Sequence, residues 1–188
     1  RFENGSVDFD REEVKFDIDE EGHPTGVYFK VSKDANKLVE EFMLLANRTV
    51  AATIGRPAGR RKAKPFVYRI HDVPDETRLH DLALVAATFG YKIKTSGSSA
   101  EINRSLNKML ADVKGKGEEN FLSVLAIRTM AKAVYSTENV GHYGLGFEYY
   151  THFTSPIRRY PDMMVHRLLE RYLHGGRSVD AVKLEDEC

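Results

Sequence analysis

The chain has 188 residues, of which 41% are hydrophobic and 30% charged, and its 28 basic side chains balance 28 acidic ones. A chain of this size and make-up forms one domain and buries a core without staples, which excludes wholesale disorder, collagen and a disulfide-framework peptide. The longest apolar run, residues 82–89, is far short of the ~20 residues that span a membrane, and no basic-then-apolar leader opens the sequence. The single cysteine, Cys188, has no internal partner and fits a reducing compartment. These features together predict a soluble, cytoplasmic protein with no membrane partner. The chain opens on Arg1 and stops at LEDEC, which reads as a piece of a larger protein.

Charge is unevenly spread along the chain. Acids dominate from Glu3 to Glu21, whereas RPAGRRKAK, residues 56–64, carries five basic residues and no acid. Residues 14–19 and 26–31 alternate apolar and polar around the turn-rich EEGHPT, predicting a β-hairpin with one half-buried face. Ser32 and Asp34 are candidate caps for a helix over 36–54, whose apolar stripe is read as Leu38, Phe42, Leu45, Thr49 and Ala52. Gly55 and Pro57 stop that helix, and the basic stretch after it is expected to be a mobile loop. A short strand over 66–70 follows, then a helix that Pro74–Asp75 opens, running to Phe89 and closed by Gly90. Two more helices are predicted over 102–113 and 119–134. Glycines among aromatics in residues 135–150 suit twisted strands or close backbone approach, and a last helix runs to about Leu173. The fold class is mixed α+β, helix-rich, with a hairpin near the N-terminus and strands before the last helix.

The densest polar cluster is YTHFTSPIRRYPDMMVHR, residues 150–167. Ser155–Pro156 is a good helix start, which puts Arg158 and Arg159 in a first turn, against the macrodipole. Two guanidinium groups there ask for an anion, and a phosphate is held both by free N–H groups and by the guanidinium forks. On this reading Arg158, Asp162 and His166 share one face, so that Asp162 orients Arg158 or His166. Ile157, Tyr160, Met164 and Leu168 pack inward, and Pro161 kinks the helix. A surface helix with i, i+4 ion pairs is the plain alternative.

HFTSPIRRYPDMMVHR, preceded by STENVGHYGLGFEYYT, resembles the signature of the ribonuclease II / ribonuclease R family of processive 3′→5′ exoribonucleases, the ribonuclease R branch most nearly. SKDANKLVEEFMLLAN, PFVYRIHDVPD and SVLAIRTMAKAVYSTEN resemble the same family in the same order, so the likeness spans roughly residues 5–175. The resemblance implies hydrolysis of single-stranded RNA to nucleoside 5′-monophosphates with Mg²⁺ at the scissile phosphate. The family's aspartate cluster D-x5-D-x-D-D is not found in this chain, since VDFDREE and DIDEE differ in spacing and read as a solvated hairpin face. The chain therefore resembles the C-terminal part of the catalytic domain, with Mg²⁺ bound by residues outside it and the flanking cold-shock-like and S1 barrels missing. By the motif, Arg158 matches the catalytic arginine and Arg159 a backbone-phosphate contact. Thr154, Ser155 and His152 fall among the RNA-binding positions, with Asp162 and His166 supporting. A glutamate that senses ribose matches Glu41, or Glu40 by a neighbouring alignment; a carboxylate accepting from a 2′-hydroxyl distinguishes RNA from DNA.

Other features stay open at this stage. His142, His152 and His166 lack the short paired spacing of zinc sites and read first as structural or substrate-orienting. Tyr143, Phe147, Tyr149 and Tyr150 suit either base stacking or core packing. The loop RPAGRRKAK suits either an RNA backbone or plain solvation. Two rivals stand beside the exoribonuclease reading. One is a non-catalytic RNA-binding or scaffold protein that keeps the fold. The other is a small phosphate-ester hydrolase using His152 or His166. The chain alone is expected to be inactive, to need the N-terminal half of its domain as partner, and to self-associate only as a consequence of truncation.

Overall fold

The computed structural model describes residues 6–7, 13–30, 33–57, 59 and 62–188. The order of elements is β1 (Glu13–Ile18), β2 (Pro24–Lys30), α1 (Asp34–Gly55), β3 (Tyr68–Ile70), α2 (Glu76–Thr88), α3 (Ser99–Val113), α4 (Glu119–Thr129), β4 (Val134–Ser136), a 3₁₀ turn (Tyr143–Leu145), α5 (Tyr160–Leu173) and α6 (Ala181–Asp186). The helix-rich α+β class matches the expectation, although the strands form two separate antiparallel pairs, β1–β2 and β3–β4.

The hairpin forms where alternation places it, with Val14 opposite Phe29 and Phe16 opposite Val27. Its turn is closed by Asp19, whose Oδ1 accepts from the backbone N–H of Glu21 and His23 at 3.0 and 2.8 Å. The apolar face, however, is not half-buried: Val14, Phe16, Val27 and Phe29 are 47%, 57%, 61% and 59% exposed. Period-two alternation shows which side of a hairpin is apolar, but says nothing of what covers it. Val31, Ser32, Arg60, Arg61 and the acids of 8–12 lie outside the described residues.

Helix α1 begins with the Lys33 N–H donated to Asn36 Oδ1 at 3.1 Å, and it buries a different stripe from the one expected. Leu44, Asn47, Ala51 and Ile54 are buried, whereas Leu38, Phe42 and Leu45 stay exposed. The segment is apolar almost all round over Leu38–Leu45, so helical spacing alone admits more than one stripe. The core settles the matter. Ala51 and Ile54 pack with Phe66, Val67 and Tyr68 before and in β3, and with Val165, Leu168 and Tyr172 of α5.

A second core belongs to α2, α3 and α4: Leu79, Leu82, Ala86, Leu106, Met109, Val113, Leu122 and Ala126. Asp75 caps α2 by accepting from the Arg78 N–H at 2.9 Å, and Gly90, at φ +86°, takes the chain out of it. Helix α3 starts earlier than predicted because Ser98 and Glu101 form a reciprocal capping box. The helix predicted over 119–134 ends at Thr129, and Val134–Ser136 instead pairs with β3, with Arg69 opposite Tyr135. Residues 135–150 hold the end of this one short strand and the 3₁₀ turn rather than twisted strands, and the close approach that the glycines also allowed is found at Gly144, where a Cβ would lie 2.8 Å from His71 Nδ1. The end of the basic stretch is tied down, since Lys64 Nζ donates to Gly176 O at 2.7 Å and the Tyr172 hydroxyl to Pro65 O at 2.8 Å. Among the described residues no helix is long and apolar enough to cross a membrane.

Candidate nucleic-acid site

The segment 150–159 is laid against the molecule by three anchors. Beside β3, Arg69 N–H donates to Tyr150 O at 3.0 Å and the buried Thr151 hydroxyl to Val67 O at 2.7 Å. From α1, the buried Asn47 donates Nδ2–H to the Tyr150 hydroxyl at 3.2 Å and accepts from the Phe153 N–H at 3.0 Å. From α5, His166 Nε2–H donates to Phe153 O at 2.8 Å, and its ring lies flat on that of Phe153, centroids 4.0 Å apart. His166 thus supports the segment through Phe153.

The start of α5 differs from the reading of the sequence. Ser155–Pro156 does not open the helix. Residues 155–159 form a tight turn in which Ser155 O accepts from the N–H of Arg158 and Arg159, and Arg159 is the N-cap of a helix that begins at Tyr160. Proline explains the shift. A helix from residue 156 would carry Pro161 in its second turn, missing a ladder donor, whereas a start at Tyr160 leaves Pro161 in the first turn, where its N–H is not needed. There is accordingly no proline kink to account for. Ile157 and Tyr160 face outward at 101% and 58% exposure, while Met164 and Leu168 are buried as expected.

Asp162 holds this turn together. Its carboxylate is fully buried and accepts from Ser155 N–H at 2.8 Å, Arg159 Nε at 2.8 Å and Arg159 Nη2 at 2.9 Å. It therefore orients Arg159, not Arg158 or His166 as the i, i+4 spacing suggested, because the true start of the helix puts Arg159 one turn from it. Arg159 has its anion within the chain, which removes half of the dipole argument. Arg158 does not: it is exposed and, among the described residues, its guanidinium makes no hydrogen bond or ion pair. The other end of the segment carries His152, whose Nδ1 is hydrogen-bonded to the Tyr135 hydroxyl at 2.7 Å. Burial, and then Arg159, push His152 down to about 4, so its ring is neutral near pH 7.

Thr154 and Ser155 are half-buried on the same turn. Glu40 and Glu41 are exposed on the N-terminal half of α1. At ~100° per helical residue Glu40 lies nearly above Asn47 and Glu41 about a third of a turn round from it. Phe147 and Tyr149 are half-buried and Tyr143 and Tyr150 buried, so two of the four aromatics are core residues. His142 lies over Tyr150, centroids 5.1 Å apart, and burial together with neighbouring His71 lowers it to about 3. Sequence reasoning missed Asn47, Arg69 and Tyr135. Asn47 had a signal, a lone amide on an otherwise apolar stripe. The other two meet only by cross-strand pairing. Among the described residues no three His, Cys, Asp or Glu side chains converge as a metal site.

Comparison with known proteins follows the same outline. A model of the RNB domain matches residues 1–175. Ribonuclease R of Aquifex aeolicus is 42% identical over 175 residues, covering 93% of this chain and 24% of that protein. The structure of Mycoplasma genitalium RNase R in complex with ribose methylated single-stranded RNA superposes with a TM-score of 0.78 at 30% identity, over 92% of this chain and 26% of that one. Yeast Ssd1, a pseudonuclease, superposes with a TM-score of 0.66 at 27% identity, over 80% of this chain and 18% of that one. The chain thus spans about a quarter of the length of the curated relatives it matches.

Proposed function

Because the chain belongs to the RNB domain family, we propose that it is part of a processive 3′→5′ exoribonuclease of the ribonuclease R type. It acts in the cytoplasm on single-stranded RNA and releases nucleoside 5′-monophosphates. The observation that carries the reading is Arg158, a guanidinium with no anion of its own, standing on a turn braced by the buried Asp162. A fixed cation of this kind stabilises charge that develops on phosphoryl oxygens in the transition state. The Ser155 and Thr154 hydroxyls, His152 and the Nη1 side of Arg159 contact the strand near its 3′ end. Glu41 accepts from a ribose 2′-hydroxyl. Magnesium supplies a Lewis acid at the scissile phosphate when bound. Its ligands are the aspartates that the resemblance to ribonuclease R puts outside this chain, and the 188-residue chain alone is inactive. The exposed apolar faces of the hairpin and of α1 are covered by the remainder of the domain, and contact between copies of the isolated chain is a truncation effect.

The test is Arg158→Ala in the full-length protein. Losing one transition-state donor lowers turnover by about 10²–10³-fold and leaves RNA affinity nearly intact. An equal loss of binding and rate would make Arg158 an anchor instead. The likeness to a pseudonuclease favours one second reading, a non-catalytic RNA-binding protein on the same fold. It predicts RNA binding with no Mg²⁺-dependent degradation by the full-length wild type.

A further inference from the structure

Arg69 stands in the middle of β3, directly across the ladder from Tyr135. Its guanidinium carbon lies 4.6 Å from the centroid of the Tyr135 ring, and the Tyr135 hydroxyl is the group bonded to His152. The two rings meet edge to face, centroids 5.7 Å apart. Arg69 is half-buried and, among the described residues, forms no ion pair and no side-chain hydrogen bond. The carboxylate of this neighbourhood, Asp162, already accepts from Ser155 and from two nitrogens of Arg159. A partly desolvated cation without an anion costs stability, and an aromatic face offsets that only in part.

We propose that Arg69 is a further phosphate-binding residue, seating a backbone phosphate of single-stranded RNA beside the Tyr135–His152 pair while Arg158 attends a neighbouring one. The inference rests on the exoribonuclease reading above and extends it to a residue outside the SPIRRY motif. Two features favour a nucleic-acid strand over a lone small anion. Arg69 and Arg158 come from different elements, a strand and a turn, and so offer cations to a chain of charges. The ring of Tyr135, beside Arg69 and bonded through its hydroxyl to His152, gives a surface for ribose or base. Burial and the positive field of Arg159, Arg69 and Arg158 hold His152 neutral, so its ring adds a neutral hydrogen-bonding edge to this strip.

The experiment is a salt titration of RNA binding by the full-length protein, read by anisotropy of a labelled oligoadenylate in EDTA so that no hydrolysis intervenes. Each single-strand phosphate contact adds about 0.7 to the slope of log K against log[salt]. Arg69→Gln should flatten the slope by that amount, Arg69→Lys should keep it, and Lys108→Gln on α3 should match the wild type. If glutamine disturbs the sheet, Arg69→Met, which keeps the stem over Tyr135, carries the same expectation. A folded Arg69→Gln or Arg69→Met protein with the wild-type slope overturns this inference and leaves the exoribonuclease reading standing. A wild-type protein that does not bind the oligonucleotide overturns both.

Discussion

Removing the Asp162 carboxylate tests the account of the site most directly, because one buried side chain holds the turn that carries Arg158. In Asp162→Ala three hydrogen bonds vanish at once: one from the Ser155 amide at 2.8 Å and two from the Arg159 guanidinium at 2.8 and 2.9 Å. Breaking a buried ion pair by removing one partner costs about 3–5 kcal/mol. The Arg159 side chain is 27% exposed, and water reaching it argues for the lower end, about 3 kcal/mol. The cost falls on a local structure, so the apt assay is amide hydrogen exchange in the full-length protein, followed in peptides covering residues 153–160. At ~1.4 kcal/mol per decade, loss of 3 kcal/mol speeds exchange at Ser155 by on the order of 10²-fold. Replacing both partners, Asp162→Leu with Arg159→Met, should recover much of the protection, since no charge is then stranded. Protection within threefold of wild type in Asp162→Ala would refute the claim that this carboxylate braces the turn.

Three further outcomes follow from the geometry. His142 and His152 are depressed to about 3 and about 4, largely by burial, so between those values and ~6.5 the unfolded chain binds protons that the folded one does not. Stability should therefore fall as pH drops from 7 to 5, and His142→Gln should make that fall shallower in a melting series; a pH-independent melt would count against the neutral-histidine cluster. Glu41→Gln should weaken discrimination between RNA and the matching DNA strand by about tenfold or more, as expected for loss of one charge-assisted hydrogen bond, with hydrolysis rates on the two strands as the readout. Gly55→Ala places a Cβ 2.5 Å from Tyr149 Cδ1 and 2.8 Å from the Tyr68 hydroxyl, and overpacking of that order costs ~1–3 kcal/mol. An unchanged melting temperature would show that Tyr149 moves aside freely.

Much of the fold was legible in the chain because the signals are local. Alternation gave the hairpin, Asp75 and Gly90 bracketed α2, and Ser98 with Glu101 explains a capped start that periodicity alone set three residues late. The motif around Arg158 likewise carried the resemblance to ribonuclease R that the family match bears out. What failed were inferences that need to know the neighbour. Leu38, Phe42 and Leu45 satisfy helical spacing as well as Leu44, Asn47 and Ala51 do, and only contact with β3 and α5 selects the second set. Residues 130–134 looked like the last turn of a helix, whereas the helix ends at Thr129 and Val134 opens a strand because β3 offers it a partner.

The site divides the same way. Residue order by itself determined that two arginines, a serine, a threonine and an aspartate lie within one short stretch, and that this stretch is followed by a helix. Tertiary structure decided which arginine is neutralised. Pro161 moves the start of the helix to Tyr160, Asp162 then meets Arg159 rather than Arg158, and the pairing of β3 with β4 brings Arg69 and Tyr135 to His152 from far along the chain. Local chemistry is written in consecutive residues, whereas the assignment of a counter-ion depends on which charges the folded backbone brings within a few ångströms of each other.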